Sequence, residues 1–186
     1  MAKGIVSLFP VQHMTFNNVY AKEDMIVRDL TGSGKTLGFA LPIVEYLRAN
    51  KLFGTRATQA IVLAPTRELA IQISRVLCDL KHHDREYNVL TVYGGVSIYD
   101  QTCELRKGVD IFVGTTGRVL DHMGRGNLNF SALKYIVLDE ADEMMKMGFK
   151  EDVDQILGNI KEQNSTPPTF LLFSATIPSW IKNLAS

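Results

Sequence analysis

The chain has 186 residues, of which 46% are apolar and 22% charged, and its formal net charge at pH 7 is zero. This composition predicts one soluble globular domain with a full hydrophobic core and argues against a disordered chain. Any contact with nucleic acid would need a local basic patch. No apolar run approaches the roughly 20 residues that span a bilayer, so we expect neither a membrane segment nor a signal peptide. Two cysteines, Cys78 and Cys103, are too few for a disulfide framework or a zinc cluster and indicate reduced thiols.

Short runs of β-branched and aromatic residues alternate with helix-like stretches along the chain. Most runs are apolar throughout, which is typical of strands buried on both faces of a parallel sheet. The predicted strands lie near Asp24–Val27, Ala60–Ala64, Val89–Tyr93, Asp110–Gly114, Tyr135–Asp139 and Thr169–Ser174. The predicted helices include Glu68–Leu80, Asp100–Arg106, Lys150–Ile160 and one after Lys35, in which Pro42 predicts a kink or break. This alternation predicts a doubly wound α/β sheet flanked by helices, with ligands beyond the carboxyl ends of the strands.

A glycine turn follows the first predicted strand. It reads Thr31-Gly32-Ser33-Gly34-Lys35-Thr36. Glycines permit positive φ and a close approach to phosphate, and the N-terminus of the following helix adds its dipole. In a phosphate loop of this kind, Lys35 neutralises β- and γ-phosphate charge and Thr36 ligates Mg²⁺. We therefore predict a site for a nucleotide triphosphate and Mg²⁺ here.

Two acids end the fifth predicted strand. Asp139 is the candidate for holding Mg²⁺, directly or through water, and Glu140 for orienting and polarising an attacking water. Acidic residues also favour the first turn of helices, which is the simpler explanation when such a pair stands alone. Together with the Lys35 loop, the pair indicates an NTP-handling domain of the P-loop class.

The sequence resembles the DEAD-box RNA helicases, whose name is spelled by residues 139–142. The resemblance covers essentially the whole chain and implies a RecA-like P-loop domain. Further motifs in family order are Pro10-Val11-Gln12, Pro65-Thr66-Arg67-Glu68-Leu69-Ala70, Gly94-Gly95, Thr115-Thr116-Gly117-Arg118 and Ser174-Ala175-Thr176. The stretches around Phe9 and Trp180 look closest to the nucleolar Gu-type branch, which implies a nuclear or nucleolar location.

The resemblance also implies roles for single residues. Gln12 corresponds to the glutamine that reads the adenine edge, for which a side-chain amide has both the donor and the acceptor. Ser174 and Thr176 correspond to the motif that couples hydrolysis to strand separation, by hydrogen bonding towards Asp142. The implied contacts to the RNA backbone are Pro65, Thr66, Arg67, Gly94, Gly95, Thr115, Thr116, Gly117 and Arg118.

The sequence departs from the family pattern at three points. Asp29 precedes the glycine turn where the family usually has a small residue, and a carboxylate there would weaken ATP binding. Thr116 replaces the proline of the usual Thr-Pro-Gly-Arg, which we expect to loosen that RNA-contacting turn. The family's aromatic residue upstream of Gln12 has no counterpart in this sequence.

We therefore expect residues 1–186 to be the first of two RecA-like domains in a monomeric ATP-dependent RNA helicase. The second domain, which carries the arginine fingers, lies outside the sequence, so this chain alone is expected to hydrolyse ATP barely, if at all. Two alternatives stay open. One is an RNA-binding or scaffolding module in which Asp29 suppresses ATP binding, and the other is a DNA helicase or translocase.

Overall fold

A computed structural model of the chain describes residues 9–28 and 34–176. The described strands are β1 (Met25–Arg28), β2 (Ala60–Ala64), β3 (Val89–Val92), β4 (Ile111–Thr115), β5 (Tyr135–Leu138) and β6 (Thr169–Ser174). The described helices are α1 (Pro10–Tyr20), α2 (Lys35–Ala49), α3 (Arg67–Asp79), α4 (Ile98–Lys107), α5 (Thr116–Gly124), α6 (Ala141–Lys146) and α7 (Lys150–Gln163). None of these helices is long and apolar enough to cross a membrane.

The strands form one six-stranded sheet in the order β1-β6-β5-β2-β4-β3. Every neighbouring pair is parallel; for example, Ala60 of β2 lies in register with both Ile111 of β4 and Tyr135 of β5. The predicted α/β sheet is confirmed. The order of the strands differs from their order in the chain, because the helical crossovers skip over strands.

The sheet separates two hydrophobic cores, because successive strand residues point to opposite faces. On one face, Val62 of β2 and Val137 of β5 pack under α1, α2 and α3. On the other face, Ile61 and Leu138 pack under α5, α6 and α7. Burial on both faces explains why these strands read as continuous apolar runs.

Helix α2 continues through Pro42 without a break. Of the predicted kink or break, the break is therefore wrong and the kink stays a prediction. Proline has no N–H for the carbonyl one turn earlier, which here belongs to Gly38. The hydroxyl of Thr15 on α1 donates to that carbonyl instead, at 2.8 Å from Oγ1 to O. A group from a distant part of the sequence thus compensates for the missing hydrogen bond.

Three helices were not predicted: α1, α5 and α6. Helix α1 is only weakly amphipathic, and it is held by contacts with α2, including a T-shaped packing of the Tyr20 and Tyr46 rings. Helices α5 and α6 begin directly at strand ends, within the motifs themselves, and α6 is only 6 residues long. Short helices of this kind depend on tertiary packing more than on periodicity.

Candidate functional site

The carboxyl edge of the sheet carries the predicted site residues in two adjacent halves. Strands β1, β6 and β5 form one half of the sheet, and β2, β4 and β3 form the other. Apart from Gln12, which lies on α1 before β1, the residues predicted to handle nucleotide or to couple its hydrolysis lie at or after the ends of the strands of the first half. The residues predicted to contact RNA follow the strands of the second. The two kinds of predicted motif alternate along the chain, but the strand order places each kind in its own half of the sheet.

The described part of the glycine turn is its end, at the start of α2. Gly34 is the N-cap of the helix, with φ 83° and ψ 19°, a left-handed conformation that suits glycine. Lys35 follows as the first helical residue and is buried, while Thr36 is partly exposed. Thr31, Gly32, Ser33 and the preceding Asp29 lie outside the described residues, so the predictions for them remain predictions.

Asp139 and Glu140 lie at the end of β5, next to the start of α6. Asp139 is only 2% exposed, and its Oδ1 accepts a hydrogen bond from the Glu140 backbone N–H at 3.0 Å. Burial raises the pKa of Asp139 to about 6, although the positive charge of Lys35 acts in the opposite direction. The two predicted nucleotide residues Lys35 and Asp139 are thus close enough to interact electrostatically. A bound cation would stabilise this carboxylate in its ionised form.

Glu140 has a left-handed backbone, with φ 54° and ψ 49°. Residues other than glycine rarely adopt this conformation, which costs of order 1–2 kcal/mol and is concentrated at functional sites. The conformation ends β5 sharply and makes Glu140 the N-cap of α6. Lys22, Lys51 and Arg56 have similar positive φ values away from this edge, so the conformation by itself does not identify a functional residue.

Among the described residues, no three histidine, cysteine or acidic side chains converge into a metal-binding cluster. Mg²⁺ does not require such a cluster in nucleotide sites. It keeps several waters and is held by one or two carboxylates together with the phosphates of the substrate. Thr36 and Asp139 are chemically suited to that mode of binding.

Gln12 is the third residue of α1 and is buried beside the start of α2. Its Oε1 accepts from the Phe9 backbone N–H at 3.0 Å, and its Nε2 donates to the Gly34 carbonyl at 3.1 Å. A side-chain amide has two hydrogens and two lone pairs. These two contacts orient the amide and leave one donor and one acceptor for a ligand.

The residues predicted to couple hydrolysis to strand separation lie at the end of β6, against α6. The Thr176 hydroxyl donates to Oδ2 of Asp142 at 3.4 Å, a long hydrogen bond. Burial raises the pKa of Asp142, but hydrogen bonds from Ser174 and the Ala175 backbone outweigh it, so the pKa lies below its usual range. The Ser174 hydroxyl also approaches the Thr176 carbonyl, and it donates to one oxygen at a time. The structure thus brings together the three residues that the resemblance linked.

Arg67 and Gly95 meet in the second half of the edge. The Arg67 guanidinium lies 5.9 Å from the centre of the Tyr93 ring, within range of a cation–π interaction. A Cβ at Gly95 would lie 3.3 Å from Nη1 of Arg67. Thr66 caps α3 by accepting from the Leu69 N–H at 3.2 Å, while Pro65 beside it is buried.

Arg118 is tied to the loop that contains Gly94 and Gly95. Its Nη1 donates to the Val96 carbonyl at 3.0 Å and to Oε1 of Gln101 at 2.9 Å. Nε2 of Gln101 in turn donates to the Tyr93 carbonyl at 3.2 Å. One buried amide therefore connects two of the predicted RNA-contacting segments.

His122 completes this network on the inner side of α5. It is fully buried; its Nε2 lies 3.1 Å from Oε1 of Gln101, and its Nδ1 lies 3.1 Å from Nδ2 of Asn127. An acceptor on one side and a donor on the other select the neutral ring protonated at Nε2. Burial, followed by the charge of Arg118, lowers the pKa of His122. Sequence reasoning did not identify Gln101 or His122, because a single polar residue on a polar helix gives no signal of burial.

Thr116 is the first residue of α5 and is only 1% exposed. Its Oγ1 is buried and has no hydrogen-bond partner among the residues that the structure describes. The neighbouring Thr115 is half-buried, and Gly117 is exposed. A buried hydroxyl without a partner is destabilising, so Thr116 has an energetic cost at this position.

Comparison with known proteins agrees with this geometry. The model of the DEAD/DEAH box helicase family matches residues 9–184. The chain belongs to the DEAD/DEAH box helicase family. It is 42% identical over 186 residues to human ATP-dependent RNA helicase DDX50, a match that covers 98% of this chain and 25% of the relative. It is 43% identical to rat nucleolar RNA helicase 2, covering 99% of this chain and 24% of that protein.

Solved structures of the family confirm the RecA-like fold. A DEAD box protein from Methanococcus jannaschii superposes with a TM-score of 0.84 at 41% identity, covering 94% of this chain and 46% of that chain. A hypothetical ATP-dependent RNA helicase from Sulfolobus tokodaii gives 0.84 at 33% identity, covering 98% and 50%. The chain thus spans about a quarter of the curated helicases it matches and up to half of these solved chains.

Proposed function

We propose that the chain is the first RecA-like domain of an ATP-dependent RNA helicase. One observation carries the proposal: the strands that precede the predicted nucleotide motifs and those that precede the predicted RNA motifs form adjoining halves of one parallel sheet. A domain built this way could hold both ligands at once at one edge. The names of the relatives, ATP-dependent RNA helicase DDX50 and nucleolar RNA helicase 2, support RNA over DNA as the nucleic acid.

In this proposal the first half of the edge binds ATP with Mg²⁺. Gln12 pairs with the adenine edge through its remaining donor and acceptor, and the loop from Thr31 to Thr36 surrounds the phosphates. Lys35 moves its charge from Asp139 to the β- and γ-phosphates. Thr36 and Asp139 would hold Mg²⁺, which would neutralise charge on the phosphates.

Glu140 orients and polarises the water that attacks the γ-phosphate in line. Its position next to Asp139, at the start of α6, supports this role. Ser174 and Thr176 couple hydrolysis to strand separation through Asp142, which is joined by hydrogen bonds to the end of β6.

The second half of the edge contacts the RNA backbone. Arg67 and Arg118 supply positive charge, and the glycines and threonines supply backbone N–H groups and hydroxyls that meet phosphates and sugars without reading bases. Since the net charge is zero, an RNA site needs local positive charge, and in this proposal Arg67 and Arg118 provide it even though Glu68 and Asp121 lie beside them.

In this proposal the full-length helicase has a second RecA-like domain that is needed for ATP hydrolysis. It would contribute arginines that stabilise γ-phosphate charge, worth about 10³–10⁵ in rate. We propose a nuclear or nucleolar location, which the nucleolar relatives support.

The test is ATPase activity with and without RNA, for this chain and for the protein joined to its second domain. We expect the chain alone to turn over barely and the two-domain protein to be stimulated by RNA but not by DNA. In the two-domain protein, Glu140→Gln should keep ATP and RNA binding yet abolish multiple turnover, whereas Lys35→Ala should lose ATP affinity itself. RNA-stimulated turnover by the chain alone, or equal loss of nucleotide in both variants, contradicts the proposal.

A further inference from the structure

Helices α1 and α2 lie side by side and in a fixed register. Gln12 contacts the Gly34 carbonyl, Thr15 contacts the Gly38 carbonyl, and the Tyr20 and Tyr46 rings pack with their centres 5.9 Å apart. These pairs advance together along both helices, so the helices run in the same direction. The helix that carries Gln12 is therefore aligned with the helix that begins with Lys35.

The bond between Thr15 and Gly38 is the buried centre of this alignment. Pro42 cannot donate to the Gly38 carbonyl, so that oxygen is available to another helix. Thr15 and Gly38 are both buried. The Thr15 hydroxyl lies 2.8 Å from the Gly38 carbonyl and 2.9 Å from the Val11 carbonyl of its own helix, and its one hydrogen is donated to one of them at a time. Gly38 permits the close approach: a Cβ on it would lie 3.2 Å from Oγ1 of Thr15.

We propose that Thr15 is a positioning residue for adenine recognition. Its hydroxyl donates to the Gly38 carbonyl, which has no donor at Pro42. This bond fixes the position of α1, which carries Gln12, along and around the axis of α2. The inference rests on the proposed function, because it assigns Thr15 a task in ATP binding. Thr15 itself touches no part of the nucleotide in this scheme.

The placement of Gln12 explains why a second anchor is needed. Gln12 lies about one helical turn before Thr15, so both side chains are on the same side of α1. The two hydrogen bonds of the Gln12 amide orient the amide itself, and their partners Phe9 and Gly34 lie at helix ends. Helix ends fray more easily than helix interiors. The Thr15 bond anchors the interior of α1 to the interior of α2.

The experiment is a double-mutant cycle of Thr15→Val and Pro42→Ala in the 186-residue chain, with Thr15→Ser as the matched control. Valine keeps the shape of threonine and removes the hydroxyl, and serine keeps the hydroxyl. Alanine at position 42 restores an N–H one turn after Gly38, so it offers the Gly38 carbonyl a donor within its own helix. Calorimetry with ATP and with inorganic tripolyphosphate, each with Mg²⁺, gives two affinities for every variant, after circular dichroism has shown that the variant is folded.

We expect Thr15→Val to weaken ATP binding roughly three- to tenfold, the equivalent of one net hydrogen bond. Its affinity for tripolyphosphate should be unchanged, because that ligand has no adenine. Thr15→Ser should bind ATP like the wild type. In the Pro42→Ala background the effect of Thr15→Val should shrink to less than about twofold, because the carbonyl no longer depends on the hydroxyl.

Three outcomes overturn the inference while leaving the proposed function intact. They are wild-type ATP affinity in Thr15→Val, an equal loss of tripolyphosphate, and an undiminished effect in the Pro42→Ala background. If the wild-type chain does not bind ATP, the proposed function fails first, and the role of Thr15 fails with it.

Discussion

Replacing Thr116 by proline should stabilise this domain. Thr116 is the first residue of α5, where proline is favoured because the N–H at that position has no partner within the helix. The preceding Thr115 has φ −86° and ψ 142°, the extended conformation that a residue before proline requires. The substitution therefore introduces no backbone conflict, and it removes a buried hydroxyl that lacks a partner among the described residues.

Two contributions set the size of the effect. Removing an unsatisfied buried hydroxyl relieves a desolvation cost of about 1–3 kcal/mol. Restricting the unfolded chain with proline adds about 0.4–1 kcal/mol. We expect a net gain near 2 kcal/mol after some loss of packing, which corresponds to a rise in Tm of about 4–8 °C for a domain of this size.

Urea denaturation at neutral pH, followed by circular dichroism, measures this change as a shift in midpoint at constant slope. Thr116→Val serves as the control that removes the hydroxyl without restricting the backbone, and it should give the larger share of the gain. A lower midpoint for Thr116→Pro would refute the reasoning, since it would mean that the Thr116 N–H or hydroxyl makes a stabilising contact.

Three further predictions concern the acids of the domain. Glu140→Gly should stabilise the fold by about 1 kcal/mol in thermal melts, because glycine adopts the left-handed backbone without strain. The control Glu140→Gln should leave Tm unchanged. A lower Tm for Glu140→Gly would show that the backbone of Glu140 is not strained. Without Mg²⁺ or nucleotide, Asp139→Asn should raise the free energy of unfolding at pH 7.5 by on the order of 2–3 kcal/mol. This gain in the free energy of unfolding should shrink as the pH falls through about 6 towards 4, because the buried Asp139 carboxyl becomes protonated in the native state before it does in the unfolded state. A gain that does not change with pH would contradict the raised pKa. The hydrogen bond from Arg48 lowers the pKa of Glu86 to about 2. Glu86→Gln should therefore lower the free energy of unfolding by about 3 kcal/mol at pH 6 and by almost nothing near pH 2. If urea titrations gave the same loss at both pH values, the loss would come from packing and not from charge.

The positions of Lys35 at a helix start and of the acids after a buried strand were predictable because each rests on a local pattern. A glycine turn before Lys35 and an acidic pair after an apolar strand each need only a few consecutive residues to be recognised. The parallel sheet was equally predictable, since strands buried on both faces lose the alternation that other strands show. The motifs then limited the function to nucleotide handling.

The sequence by itself determined the fold class, the six strands, four of the seven described helices and the individual motifs, because hydrophobic runs and short polar patterns are encoded by neighbouring residues. Only the tertiary structure decided the strand order. That order separates the strands that precede the predicted nucleotide motifs from those that precede the predicted RNA motifs. It also decided the burial of Gln101 and His122, the strain at Glu140, and the partner that replaces the N–H missing at Pro42. Each of these depends on groups far apart in the chain, and their meeting is set by how the helices cross over and pack, which no local pattern records.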